Sequence, residues 1–253
     1  MNLEAIQSRF PPPDGFTRAR DEGFGAWLRG LPLEPGRPDV LLFDGRKKGN
    51  QKAHLAVVRL DVGTRDLQQC ADAVMRLRAE YLWASHRAED VCFPLTNGDA
   101  ARWAQWERGE RPHVEGNRVH WSPGGNKDST HPAFRRYLDF VFVYAGSASL
   151  ARGGLEEVSD TAPLEPGDIF IQGGFPGHAV LVVDVVTRAD GAQKFALVQS
   201  YMPAQQVQVL DSPKHPGTVW YDAQPGAPLV TPEWRFPAGS RMRFPTRGGC
   251  SRR

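Results

Sequence analysis

Three features of the chain predict an α+β domain. The segment from Asp66 to about Trp83 places its apolar residues at helical spacing. The last third carries four short runs rich in Val, Ile, Leu and Phe, bounded by Gly, Pro and Asp, which read as strands. No internal repeat and no long linker divides the 253 residues. A single domain over residues 1–245, followed by a disordered tail over 246–253, satisfies all three.

Taken in order, the first thirty-five or so residues read as connector. Phe10-Pro11-Pro12-Pro13-Asp14-Gly15 is extended or turning, and Phe24 to Leu33 is a short amphipathic piece ended by prolines. Val40 to Phe43 reads as a strand, Asp44-Gly45 as a turn and His54 to Val62 as the partner strand of a hairpin. The helix follows, with Leu67, Cys70, Ala71, Val74, Leu77 and Tyr81 on one stripe. Asp66 and Gln69 resemble a capping box at its start. Further helices are expected near Asp99–Arg108 and Pro132–Val143, with a short hairpin turning at Gly116-Asn117 between them. The β-rich third comprises Asp168–Gln172, His178–Val186, Phe195–Tyr201 and Gln206–Leu210. From Pro213 onward, Trp220, Tyr221, Trp234 and Phe236 recur among Pro and Gly, the pattern of an irregular wrap anchored by aromatic rings.

Composition removes several function classes. Lys and Arg number 31 against 29 Asp and Glu, and the basic residues are scattered, so no nucleic-acid footprint is present. No apolar run approaches the length of a membrane span. The N-terminus lacks the basic and apolar regions of a secretory signal, so the chain reads as cytoplasmic, with export open if a signal was removed. Three cysteines in unlike contexts argue against a disulfide framework. Cys92 reads as a core strand residue and Cys250 as part of the tail. His113, His120 and His131 lack a carboxylate or cysteine at ligand spacing, so no metal or other cofactor is expected.

Two residues carry candidate chemistry. Cys70 lies near the start of the strongest helix, where unsatisfied N–H groups and the helix dipole favour a thiolate. Its place on the apolar stripe fits an inert core cysteine equally well. His178 follows Gly173-Gly174-Phe175-Pro176-Gly177 and opens the most apolar strand, a rigid position for a general base. A histidine that merely caps the strand would look the same.

These residues resemble two known groups. A cysteine starting a helix, then Gly167-Asp168-Ile169-Phe170-Ile171, a Gly-rich turn and Gly177-His178 opening a hydrophobic strand, is similar to the papain-like fold of NlpC-type cell-wall peptidases. Over most of its length the chain resembles a bacterial family known only as a domain of unknown function. That likeness runs through Trp27-Leu28-Arg29, Asp66 to Val74, Arg78 to Leu82, Gly167-Asp168, Pro176 to Ala179 and Gln199 to Gln205. The peptidase resemblance implies that Cys70 is a nucleophile, His178 its base and a polar residue of the next strand the group that orients the imidazole. The chain departs from that pattern in reading Gln-Gln-Cys-Ala-Asp around Cys70, and in the longer stretch between Cys70 and His178.

The orienting residue is a question of reach. Asp184 shares the His178 strand but stands roughly 20 Å along it, at about 3.3 Å per residue, and is rejected. The next strand offers Gln199 and Tyr201, in a register that the hairpin loop leaves open. The peptidase resemblance places the orienter at Gln199, whose amide oxygen can accept from the ring. Oxyanion stabilisation is expected from N–H groups at the helix start, with Gln69 or Gln68 assisting and Tyr201 positioning. The expected function is a cysteine hydrolase or acyltransferase acting on a peptide-like amide, with a cell-wall-derived substrate suggested by the resemblance. The alternative is a non-catalytic glycan- or peptide-binding scaffold on the same fold, with Trp103, Trp106, Trp121, Trp220 and Trp234 available to line a cleft.

Overall fold

The computed structural model describes residues 4–20, 22–246 and 250. Its centre is a nine-stranded sheet, and every strand pair in it is antiparallel. Across the sheet the order is His54–Val57, Gln208–Leu210, Gln193–Gln199, His178–Arg188, Asp168–Gln172, Arg241–Arg243 and Glu156–Glu157. Phe16–Thr17 and Tyr221–Asp222 pair alongside the two central strands.

Strand His178–Arg188 is buried along most of its length and builds a core on each face. Ala179, Leu181 and Val183 belong to the larger cluster, which includes residues of helices Cys70–Ala84 and His131–Tyr144. Val180 and Val182 belong to a second cluster with Phe195, Tyr221 and Phe236. The strict alternation follows from the pleat.

The alternation breaks once, and the break matters for the site. Pairing to the neighbouring strand runs Ala196 to Asp184 and then Leu197 to Val182, so Val183 is the extra residue of a β-bulge. Beyond it Val185 joins the second cluster and Val186 the first. Continued along the downstream register, Tyr201 falls opposite His178 and Gln199 two residues away on the same face. In the upstream register Met202 would stand there, with Gln199 turned to the other face.

Several sequence expectations are corrected. The helix starts at Cys70, not Asp66, because the Asp66 carboxylate accepts from the Gln69 side chain at 3.0 Å and from the Ala204 backbone at 2.7 Å. The expected Asp66–Gln69 box is replaced by Asp72, whose carboxylate accepts from the Gln69 N–H at 3.0 Å. Residues 40–43 form only isolated bridges, Leu41 to Lys47 and Leu42 to Gln205, while His54–Val57 pairs with Gln208–Leu210 and not with them. Partner choice here is set by tertiary packing, which local propensity does not encode. The expected helix over Asp99–Arg108 is a strand, Ala100–Arg102, followed by a short helix, Trp103–Glu107.

Helix His131–Tyr144, capped by Thr130, and the hairpin of Glu110–Glu115 with Arg118–Pro123 stand where the sequence places them. The C-terminal wrap is anchored by rings as expected, with Trp220, Tyr221 and Phe236 buried.

The reading against a disulfide is also overturned. Cys92 and Cys250 are joined, with Cα atoms 5.6 Å apart across a sequence separation of 158. Cys92 is buried in its strand as expected, but Cys250 is bonded to it. Of the tail over 246–253, residues 247–249 and 251–253 lie outside the described residues. Among the described residues no helix is long and apolar enough to cross a membrane.

Candidate functional site

Cys70 is the first residue of its helix and the free cysteine of the chain. The backbone N–H dipoles of Ala71, Ala179 and Cys70 act on its sulfur. Those dipoles favour a thiolate, but burial outweighs them, and with the nearby Asp72 carboxylate it pushes the thiol up to about 11. Asp72 is itself held well above the usual carboxylate range by burial. At neutral pH the sulfur therefore carries its proton.

His178 is fully buried where its strand begins, paired across the hairpin with Gln172. The approach is tight, since a Cβ on Gly177 would come closer than 3.0 Å to the carbonyl oxygens of Gly174 and Gln172. Rings enclose the imidazole, with Tyr201, Trp234 and Phe236 centred 4.8, 5.2 and 5.7 Å from it. Burial draws its pKa down to about 4, against the raising influence of the Gln199 hydrogen bond and the Glu233 charge.

One hydrogen-bonded chain fixes the tautomer. Glu233 accepts from the Gln199 side-chain nitrogen at 2.6 Å and is itself bonded by Lys48 and by Asn50. A carboxylate can only accept, so the Gln199 amide must turn its nitrogen to Glu233 and its oxygen to His178. That oxygen lies 2.9 Å from His178 Nε2, which must then hold the ring proton. Nδ1 is left with a bare lone pair, buried and without a partner among the described residues.

The structure brings His178, Gln199 and Tyr201 together, and Cys70, whose sulfur feels the N–H of Ala179, the residue after His178, starts the helix. It commits the two remaining candidates elsewhere. The Gln68 side chain accepts from Arg76 at 3.1 Å and donates to the Asp61 carbonyl, while the Gln69 side chain donates to Asp66. The donors free at the helix start are backbone N–H groups. Asp184, rejected on reach, is bonded by Arg18 and Arg29 at 2.7 Å each. His113 and His120 stack across their hairpin with ring centres 5.1 Å apart, and His131 bonds Glu80.

Lys48, Asp72 and Glu233 escaped the sequence reading, and Trp234 and Phe236, read there as anchors of the wrap, are found against the His178 ring. Lys48 follows the Asp44-Gly45 turn and Glu233 lies in the Pro-rich wrap, and neither segment has a periodicity that marks a buried charge. Their pairing is visible only once the wrap is folded over the sheet end.

An α+β protein with a cysteine at the first position of a helix, a histidine at the start of a strand and a glutamine bonded to the ring is thus defined. The chain belongs to the family described as Domain of unknown function (4846), whose model matches residues 6–243. Comparison with curated proteins and with solved structures found no match.

Proposed function

We propose that the chain is a papain-like cysteine hydrolase or acyltransferase, with Cys70 the nucleophile, His178 the base and Gln199 the orienting residue. One observation carries this reading: the Glu233–Gln199 chain leaves His178 Nδ1 as a bare, buried acceptor, on the residue next to Ala179, whose N–H favours the Cys70 thiolate. The depressed imidazole and raised thiol mean that both groups rest neutral, so proton transfer accompanies attack. The thiol proton passes to Nδ1 as sulfur bonds to the carbonyl carbon, and helix-start N–H groups stabilise the oxyanion. Collapse breaks the C–N bond, the imidazolium returns the proton to the leaving amine, and a thioester remains for water or an acceptor amine.

Cys70 is 6% and His178 0% exposed, so a substrate reaches them only when the surrounding chain moves. A peptide-like amide of the type found in bacterial cell walls is the substrate class the resemblance favours. The cystine fits an oxidising compartment, and so an exported protein.

A second reading, a non-catalytic glycan- or peptide-binding scaffold, is favoured by the burial of Cys70, which is 6% exposed. Iodoacetamide labelling read by mass spectrometry separates the two, because Cys70 is the free thiol. Labelling of the folded protein at neutral pH that falls at least about tenfold in His178→Ala supports the enzyme. Labelling that occurs only at the rate of global unfolding, and is indifferent to His178, makes Cys70 a core residue.

A further inference from the structure

The second core cluster borders a cavity of about 390 Å³, away from Cys70 and His178. Its apolar wall is Leu164, Phe170, Phe195, Tyr221, Leu229 and Val230. A space of this size holds a small organic molecule. Most polar groups on the wall are already committed. Gln193 exchanges two hydrogen bonds with the Leu164 backbone at 2.9 and 3.1 Å. Asp222 accepts from Lys194, Lys214 and His215, and Asp160 accepts from the Gly239 N–H.

Two groups differ. Ser212 and Arg241 line the cavity, are only 1% and 4% exposed, and have unpartnered polar atoms, the Ser212 hydroxyl and the Arg241 Nε–H. The other nitrogens of Arg241 reach the Ser159 and Ala162 carbonyls and, at 3.6 Å, Asp168, whose closer partner is Arg243 at 2.6 Å. Leaving a buried donor unpaired is unfavourable, more so when it is charged, so such groups call for an acceptor.

We infer that this cavity binds a small amphipathic anion, its apolar body against the aromatic wall and its carboxylate on Arg241 Nε and Ser212 Oγ. Asp222 is held by three donors and Asp160 is engaged by the Gly239 N–H, while the buried polar atoms of the wall that have no partner among the described residues are the two donors. A guanidinium N–H in an apolar setting prefers a carboxylate to a neutral carbonyl, because charge-assisted bonds are about twice as strong. The ligand would be an acyl or aryl carboxylate, and its binding is independent of any reaction at Cys70.

Titration calorimetry of the full chain with decanoate and with methyl decanoate tests the inference. Two variants, Ala227→Trp and Leu229→Trp, fill the cavity from its wall, and Ser212→Ala removes one donor. Thermal unfolding checks that each variant is folded, and Ser212→Ala, which deletes an unpaired hydroxyl, is expected to keep full stability. The expected result is saturable one-to-one binding of decanoate, about tenfold weaker for the ester, several-fold weaker in Ser212→Ala and lost in a folded filling variant. The inference is overturned by equal affinity for acid and ester, by an unchanged affinity in Ser212→Ala, by binding that survives both filling variants, or by no saturable binding up to millimolar decanoate.

Discussion

A carboxylate that can only accept determines, at Glu233, what His178 can do two hydrogen bonds away. The same enclosure that fixes the ring makes it hard to charge, and this has a consequence for stability. His178 is lowered from 6.5 to about 4 in the folded chain, so between those values the unfolded chain binds the additional proton. Stability from this residue is therefore full above about pH 6.5 and declines as pH falls through 4, by about 3 kcal/mol in all. Urea unfolding midpoints of the wild type should drop between pH 7 and pH 4. In His178→Gln, which has no proton to gain, that part of the drop should vanish. Equal drops in the two proteins would mean that the imidazole is not held neutral by burial.

At the scale of the element, the start of helix Cys70–Ala84 joins a capping carboxylate to a thiol. Asp72 accepts from the Gln69 N–H and also raises the Cys70 pKa through its charge. Asp72→Asn keeps an oxygen for the cap and removes the charge. The thiol should then titrate below about 11, with the onset of alkaline labelling moved to lower pH and stability little changed. Asp72→Ala should show the same shift in labelling with about 1 kcal/mol lost from the cap. An unmoved labelling profile in both would leave desolvation as the sole cause of the raised thiol.

These elements also mark what the sequence could tell. Period and composition predict the helix body and the His178 strand, because the residues that set them are neighbours in sequence. They misplace the helix start, since Asp66 is claimed by the distant Ala204 N–H. They leave open whether Gln199 faces His178, because that depends on the bulge at Val183, one extra residue in an otherwise uniform apolar run. Gln199 is reached from the resemblance, and the bulge is the physical reason that it stands on the His178 face. Glu233 and Lys48 have no local signal, since the wrap that carries one and the turn that carries the other meet only in the folded chain.

For the whole molecule, the cystine ties Cys250 to the strand Cys92–Pro94. Its loop spans a separation of 158 residues, so it removes a large share of the unfolded chain's freedom. Loop-closure entropy sets an upper bound of about 5 kcal/mol on the stabilisation this confers. The folded chain unfolded without reductant should show a single reactive thiol, Cys70, and all three cysteines after reduction. Reduction should lower the urea midpoint, and Cys250→Ser should lower it equally while abolishing any further response to reductant. Cys70→Ala should leave the response to reductant intact, because Cys70 takes no part in the link. If three thiols appear in the unreduced chain, the terminal segment is not covalently held. The argument for an oxidising compartment then falls with it, while the Cys70–His178 site, built from the helix, the sheet and the wrap, stands unaffected.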